Sequence, residues 1–144
     1  MVDYEELAAT LLATMQAVHK ARHQKDIGER LQGEALVLQY INQCCQSTII
    51  PQKISSDIGV SSARVAVVLN DLESKGLITR EIDRNDRRKV VVKITAKGQG
   101  IAEECGQEIL HKTVALLRSL GERDAIEYVR IMGRLAEEMS KIDI

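Results

Sequence analysis

The sequence predicts a mainly α chain of α+β character, with one short basic hairpin set between helices. Three observations predict it. Between Ser61 and Gly76 the apolar residues Val65, Val68, Leu69 and Leu72 recur at helical spacing, and the run stops at a glycine. From Leu77 the period drops to two, with Ile78 and Ile82 and then Val90, Val92 and Ile94 patterned as strands. The turn between those strands, Arg84-Asn85-Asp86-Arg87, is loaded with arginine. A helix shaped for a groove and followed at once by a basic hairpin is the pattern of a winged helix-turn-helix, here over about residues 32–98.

The remaining elements follow in order. Leu7, Leu11, Leu12, Met15, Val18 and Ala21 make the stretch from Glu5 to about Gln24 an amphipathic helix, and Asp26-Ile27-Gly28 reads as a break. A second helix is expected from about Gly33 to Cys45, with Leu36, Val37, Tyr40, Ile41 and Cys44 facing inward. Pro51 suits the first turn of a short third helix, where its missing N–H costs nothing. Gly59 is placed to cap that helix in the left-handed conformation. Ser61 is a natural N-cap for the fourth helix, which is separated from the third only by Gly59-Val60. Beyond the hairpin, Thr95 caps a long helix through Ile101, Cys105, Ile109, Val114 and Leu117. Gly121 interrupts it, and Ala125, Tyr128, Val129, Met132, Leu135, Ala136 and Met139 continue on a last helix.

At 144 residues with 44% apolar content, the chain reads as one domain, 1–144, able to bury a real core. Phe and Trp are absent and Tyr numbers three, so aromatic stacking on single-stranded bases has little to work with. No apolar run approaches the roughly 20 residues of a membrane span, and no membrane partner is expected. The N-terminus has early acids and no basic n-region, which argues against a secretory signal, and three cysteines fit a reducing, cytoplasmic setting. No nucleophile elbow, glycine-rich phosphate loop or metalloprotease motif occurs, so the chain is not expected to be an enzyme or to hold a cofactor.

Charge is unevenly spread. The chain carries −1 overall, yet the seven bases and three acids between Arg80 and Lys97 give that segment +4. A basic hairpin on an acidic body fits a one-sided reader of double-stranded DNA. Ser61, Ser62, Arg64 and Val67 form the helix part of the expected DNA surface. Arg64 sits in a first turn, where the helix dipole disfavours a cation by about 0.3–1 kcal/mol, and arginine fits the O6/N7 pair of guanine. Arg84, Arg87 and Lys89 are expected on phosphates, which position a protein without reading sequence. The long terminal helices, about 3–24 and 98–142, carry apolar stripes that the small central module cannot cover. A two-fold homodimer built from both chain ends would bury them and space two recognition helices for a palindromic operator.

The run ISSDIGVSSARVAVVLNDLESKGLI from Ile54, the D-x-x-D-x-R pattern at Asp83, Asp86 and Arg88, and the closing ITAKG resemble the MarR (multiple antibiotic resistance regulator) family. The resemblance covers nearly the whole chain. It implies a homodimeric transcriptional regulator, expected to be a repressor, whose winged domains bind a palindrome and whose terminal helices form the dimer. Arg88 would then be the wing-tip arginine entering the minor groove, and Asp86 the acid that holds it. Where relatives often carry Ser or Thr and Arg on the recognition helix, this sequence has Ala66 and Val67. Regulators of this kind release DNA on binding a small aromatic acid or lipophile; Met15, His19 and Tyr40 could line such an effector site, although core packing explains Met15 and Tyr40 equally well.

Alternative readings rest on other residues. A winged helix can serve as a protein-binding module, for which Ala66-Val67 leaves some room. Cys44, Cys45 and Cys105 raise a redox-responsive version, yet Cys44 and Cys105 fall on apolar stripes and read as small buried hydrophobes. His19 and His23, spaced i, i+4, with His111, Glu104 and Glu108 raise a metal-responsive one, but His111 lacks a second histidine one turn away. No metal site is expected.

Overall fold

A computed structural model describes residues 2–25 and 29–142, and the side chains among them outside 23–32. The order is α1 (Tyr4–Lys25), α2 (Glu29–Gln43), α3 (Pro51–Ile58), α4 (Ser62–Ser74), β1 (Ile78–Ile82), β2 (Val90–Ile94), α5 (Ala96–Leu120) and α6 (Glu122–Met139). The expected break at Asp26-Ile27-Gly28 and the His23 side chain lie outside the described residues. The chain forms two compact units, one ending at Ala102 and the other beginning at Glu103.

Local chemistry sets the element ends of the first unit. Asp3 caps α1, its Oδ1 accepting from the backbone N–H of Glu5 at 3.0 Å and of Glu6 at 3.2 Å. Pro51 occupies the first turn of α3, and Gly59 closes that helix at φ 68°. Ser55 then fixes the turn into α4, its hydroxyl donating to the Val60 carbonyl at 2.6 Å. Ser61 caps α4 by accepting from the Arg64 N–H at 3.3 Å. The connection between α3 and α4 is therefore Gly59-Val60-Ser61, one residue longer than the sequence suggests.

β1 and β2 pair antiparallel, with Ile78 opposite Ile94 and Ile82 opposite Val90. On the other edge of β2, Val92 N–H donates to the Ile49 carbonyl at 2.8 Å, so the loop before α3 adds a one-residue third strand. The core gathers Val37, Leu38 and Ile41 of α2, Ile54 of α3, the α4 stripe Val65, Val68, Leu69 and Leu72, and Ile49, Leu77, Ile78, Val92 and Ala102.

One inward assignment is corrected. Leu36 is 48% exposed, while Leu38 and Glu34 are buried. The inward face of α2 runs through 34, 37, 38 and 41, and it includes a carboxylate because Lys75 is there to meet it. Ile82 and Val90 are exposed because they pair with each other at the outer end of the hairpin, beyond the reach of the core.

The first unit closes around the turn between α4 and β1. Thr95, just before α5, donates its hydroxyl to the Gly76 carbonyl at 2.7 Å and its N–H to the Leu77 carbonyl at 3.0 Å. The same hydroxyl accepts from Gly98 N–H at 3.0 Å, capping α5. Lys97 Nζ reaches the Lys75 carbonyl at 3.1 Å. Gly98 is buried so tightly that a Cβ there would lie 2.0 Å from the Leu77 oxygen and 2.9 Å from Ile94 Cγ1. The ITAKG pattern is thus a docking device for α5.

In the second unit, α5 turns into α6 through Gly121 at φ 82°. Val114, Leu117 and Ala125 are half-buried between these two helices. Ile126, Val129, Ile131, Met132, Leu135 and Met139 of α6 remain exposed. On α1, Leu7, Leu11, Leu12, Met15 and Val18 are likewise each more than half exposed. No helix among the described residues is long and apolar enough to cross a membrane.

Gly98→Ala is expected to destabilise the first unit by about 1–3 kcal/mol or more, because the added methyl meets a backbone carbonyl that cannot rotate away. Urea unfolding should show a lowered midpoint. Gly100→Ala, where no atom lies within 4 Å of the added Cβ, should not.

Candidate nucleic-acid interface

The buried stripe of α4 fixes which of its side chains face outward. Opposite Val65, Val68, Leu69 and Leu72, the residues Ala63, Val67, Asn70 and Ser74 follow one another along the middle of the exposed face. Arg64 stands at the flank of that face. A Cβ at Gly33 would be 3.8 Å from Arg64 Nη2 and 3.9 Å from Val68 Cγ2, so α2 leaves room for the arginine to lie along it. Ser62 is exposed at the helix start, its hydroxyl 3.4 Å from that of Ser55.

The hairpin tip, residues 83–89, is held by its own carboxylates. Asp83 N–H donates to the Lys89 carbonyl at 2.9 Å and closes the loop at its base. Asp83 Oδ1 accepts from Asn85 N–H at 2.8 Å, and Asp86 Oδ1 from Arg88 N–H at 3.0 Å. Lys89 N–H donates to the Asp86 carbonyl at 2.9 Å, completing a turn across 86–89. Asp86 therefore bears on Arg88 through the backbone. Asp86, expected to hold Arg88, does so at the main chain, where its carboxylate sets the point at which the arginine leaves the backbone.

The basic segment divides into two groups. Arg80 donates from Nε and Nη2 to both oxygens of Glu73, at 3.0 and 3.1 Å, and from Nη2 to Asn70 Oδ1 at 2.7 Å. Lys93 pairs with Glu81 across the strands at 2.9 Å, and Lys97 serves the α5 junction. These three cations are already engaged by groups of the chain itself. Arg84, Arg87, Arg88 and Lys89 are exposed and form no ion pair with any described residue. The positive charge free to meet a partner is concentrated at the tip.

Arg80, counted in the sequence only toward the charge of the basic segment, serves as a brace. Its bonds to Asn70 and Glu73 join β1 to the outward face of α4, so the hairpin and the helix present themselves as one body. The fork also holds the Glu73 carboxyl below its usual range, mainly through these hydrogen bonds. The sequence clue was the run of Asn70 and Glu73, one turn apart on the exposed face, with a base at Arg80.

Residues 33–90, from α2 to the start of β2, match the family model described as MarR family. That segment of the chain is similar to the MarR family. Among relatives, the HTH-type transcriptional regulator FarR of Neisseria gonorrhoeae is 33% identical over 76 residues, covering 53% of this chain and 49% of FarR. The multiple antibiotic resistance protein MarR of Escherichia coli (strain K12) is 30% identical over 88 residues, 59% of this chain and 61% of that protein. The chain thus spans about half to three fifths of the length of these curated relatives. The crystal structure of the S. aureus MepR–DNA complex superposes with a TM-score of 0.66 at 22% identity, over 98% of this chain and 99% of that one, and so shares the fold.

The other candidate residues lie on several elements. Met15 is 58% exposed on α1, and His19 on the same helix is exposed too. Tyr40, on α2, is half-buried and donates its hydroxyl to Asp57 Oδ2 at 2.6 Å, tying α2 to α3. That bond, followed by burial and the Asp57 charge, pushes the Tyr40 phenol well above its usual range. Cys44 and Cys105 are half-buried and Cys45 is exposed. Among the described residues no three His, Cys, Asp or Glu side chains come together as a metal site.

Two outcomes are expected. In an NMR titration Glu73 should titrate below an ordinary glutamate, and Arg80→Ala should return it upward. A depressed carboxylate keeps its pairing above the unfolded pKa and loses it as pH falls through the folded value, so the wing tie should weaken only in acid. At the tip, Asp86→Ala should raise the mobility of residues 86–89 in relaxation measurements. Asp86→Asn, which keeps the accepting oxygen, should leave them ordered.

Proposed function

We propose that this chain is a homodimeric DNA-binding transcriptional regulator, a repressor that places α4 in the major groove and the 83–89 tip in the adjacent minor groove of a palindromic operator. The observation that carries the reading is the cluster of four unpaired cations at the end of a hairpin braced to α4 by Arg80. No described residue pairs with these charges, and a narrow minor groove attracts arginine. MepR, whose fold this chain shares, is described in a complex with DNA.

The homodimer is supported by the uncovered aliphatic stripes of α1 and α6. Fully burying a Leu, Ile or Met side chain is worth about 1.5–3 kcal/mol, so several exposed on each helix favour self-association. Release by a small apolar effector belongs to the same proposal. Met15, His19 and Tyr40 are the residues it would meet, and Tyr40 would respond through its bond to Asp57.

A shift assay on the promoter fragment beside the gene tests the reading. Binding should fall steeply with salt, with a log–log slope of roughly −0.9 per neutralised phosphate, and duplex should be preferred over single strands. Arg88→Ala should weaken operator binding mainly through flanking A·T-rich steps. Arg64→Ala should relax preference at one base pair per half-site by about 1–3 kcal/mol. Lys89→Ala should cost affinity evenly across sequences. If Arg64→Ala and Arg88→Ala both leave affinity unchanged, helix and wing are not the DNA surface. Sedimentation of a well-folded 16.0 kDa species at micromolar concentration would overturn the dimer.

A further inference from the structure

The outward face of α4 is aliphatic where it should meet a groove. Ala63, Ala66 and Val67 are exposed there, and Val67, 53% exposed, lies on the central line of the face. Toward the helix C-terminus, Asn70 and Glu73 are already engaged by Arg80. Toward the N-terminus, Arg64 stands at the flank and Ser62 at the cap. Polar groups therefore border an apolar centre across the first two turns. The unpaired cations of the adjoining wing tip make a nucleic acid the complementary partner for this face.

In the major groove, one apolar group marks a base pair: the C5 methyl of thymine. Resting on the DNA-binding reading above, we infer that Val67 is a specificity-determining residue that reads a thymine in each half-site by packing its methyls on the C5 methyl. Ala63 and Ala66, one turn or less away, are short enough to let the helix approach so closely. The helix thus selects by shape at its centre and leaves hydrogen-bond readout to Arg64 at its edge.

The test uses the intact protein and duplexes that it selects from a randomised pool. In the selected duplex each thymine is replaced singly by deoxyuridine, which removes one methyl and keeps the hydrogen-bonding edge. Wild type should lose roughly three- to fivefold in affinity at one thymine per half-site, the worth of one buried methyl. Val67→Ala, a change at an exposed helical position, should bind the thymine duplex more weakly by a similar factor and no longer distinguish thymine from uracil there. Its salt slope should match wild type, since no phosphate contact changes. Tight, selective binding with no uracil-sensitive position overturns the inference and leaves DNA binding standing. An unchanged thymine-to-uracil ratio in Val67→Ala also overturns it, because the methyl would then act through DNA shape. Failure to enrich any duplex removes the DNA-binding reading and this inference together.

Discussion

The close approach of Gly98 to the Leu77 carbonyl is the constraint on which the winged unit depends. It lets α5 begin directly against the turn that ends α4, and Thr95 and Lys97 then bond the three successive carbonyls of 75–77. The same turn presents Lys75 to the buried Glu34 of α2. Removing one partner from a buried pair leaves a charge without compensation, which is costly even where the pair itself adds little net stability. Helices before and after the hairpin are therefore fastened to one short stretch of backbone, and the hairpin leaves that stretch with a fixed starting direction.

Arg80 extends this order outward. By bonding both oxygens of Glu73 and the amide oxygen of Asn70, it uses a charge that a sequence count would credit to ligand binding. Exposed ion pairs contribute little to stability individually, but a forked arginine on two residues of one helix fixes an angle. Geometry is the gain here. A wing and a helix that offer one joint surface gain from having their relative position set before a partner arrives.

Much of this was legible in the residues. The α4 stripe was readable because Val65, Val68, Leu69 and Leu72 keep helical spacing without interruption, and Ser61, Pro51, Gly59 and Gly76 announce their roles by type. The inward face of α2 was misjudged at Leu36 because a carboxylate, Glu34, occupies a core-facing position, and its partner lies 41 residues later. The division of the basic residues was hidden for a similar reason. Arg80 and Arg84 look alike in sequence, and only the chain's path shows that one faces Glu73 while the other faces water. Asp86 bonds a backbone N–H of Arg88, a detail that residue type does not reveal.

Loop closure at the hairpin base has a consequence for how such a chain can diverge. The bond from Asp83 N–H to the Lys89 carbonyl, together with the exposed pairing of Ile82 and Val90, seals the tip off from the core. Length and composition between those two residues are therefore nearly free of the fold's requirements. Substitutions in this segment should therefore change the tip while leaving the scaffold beneath it intact.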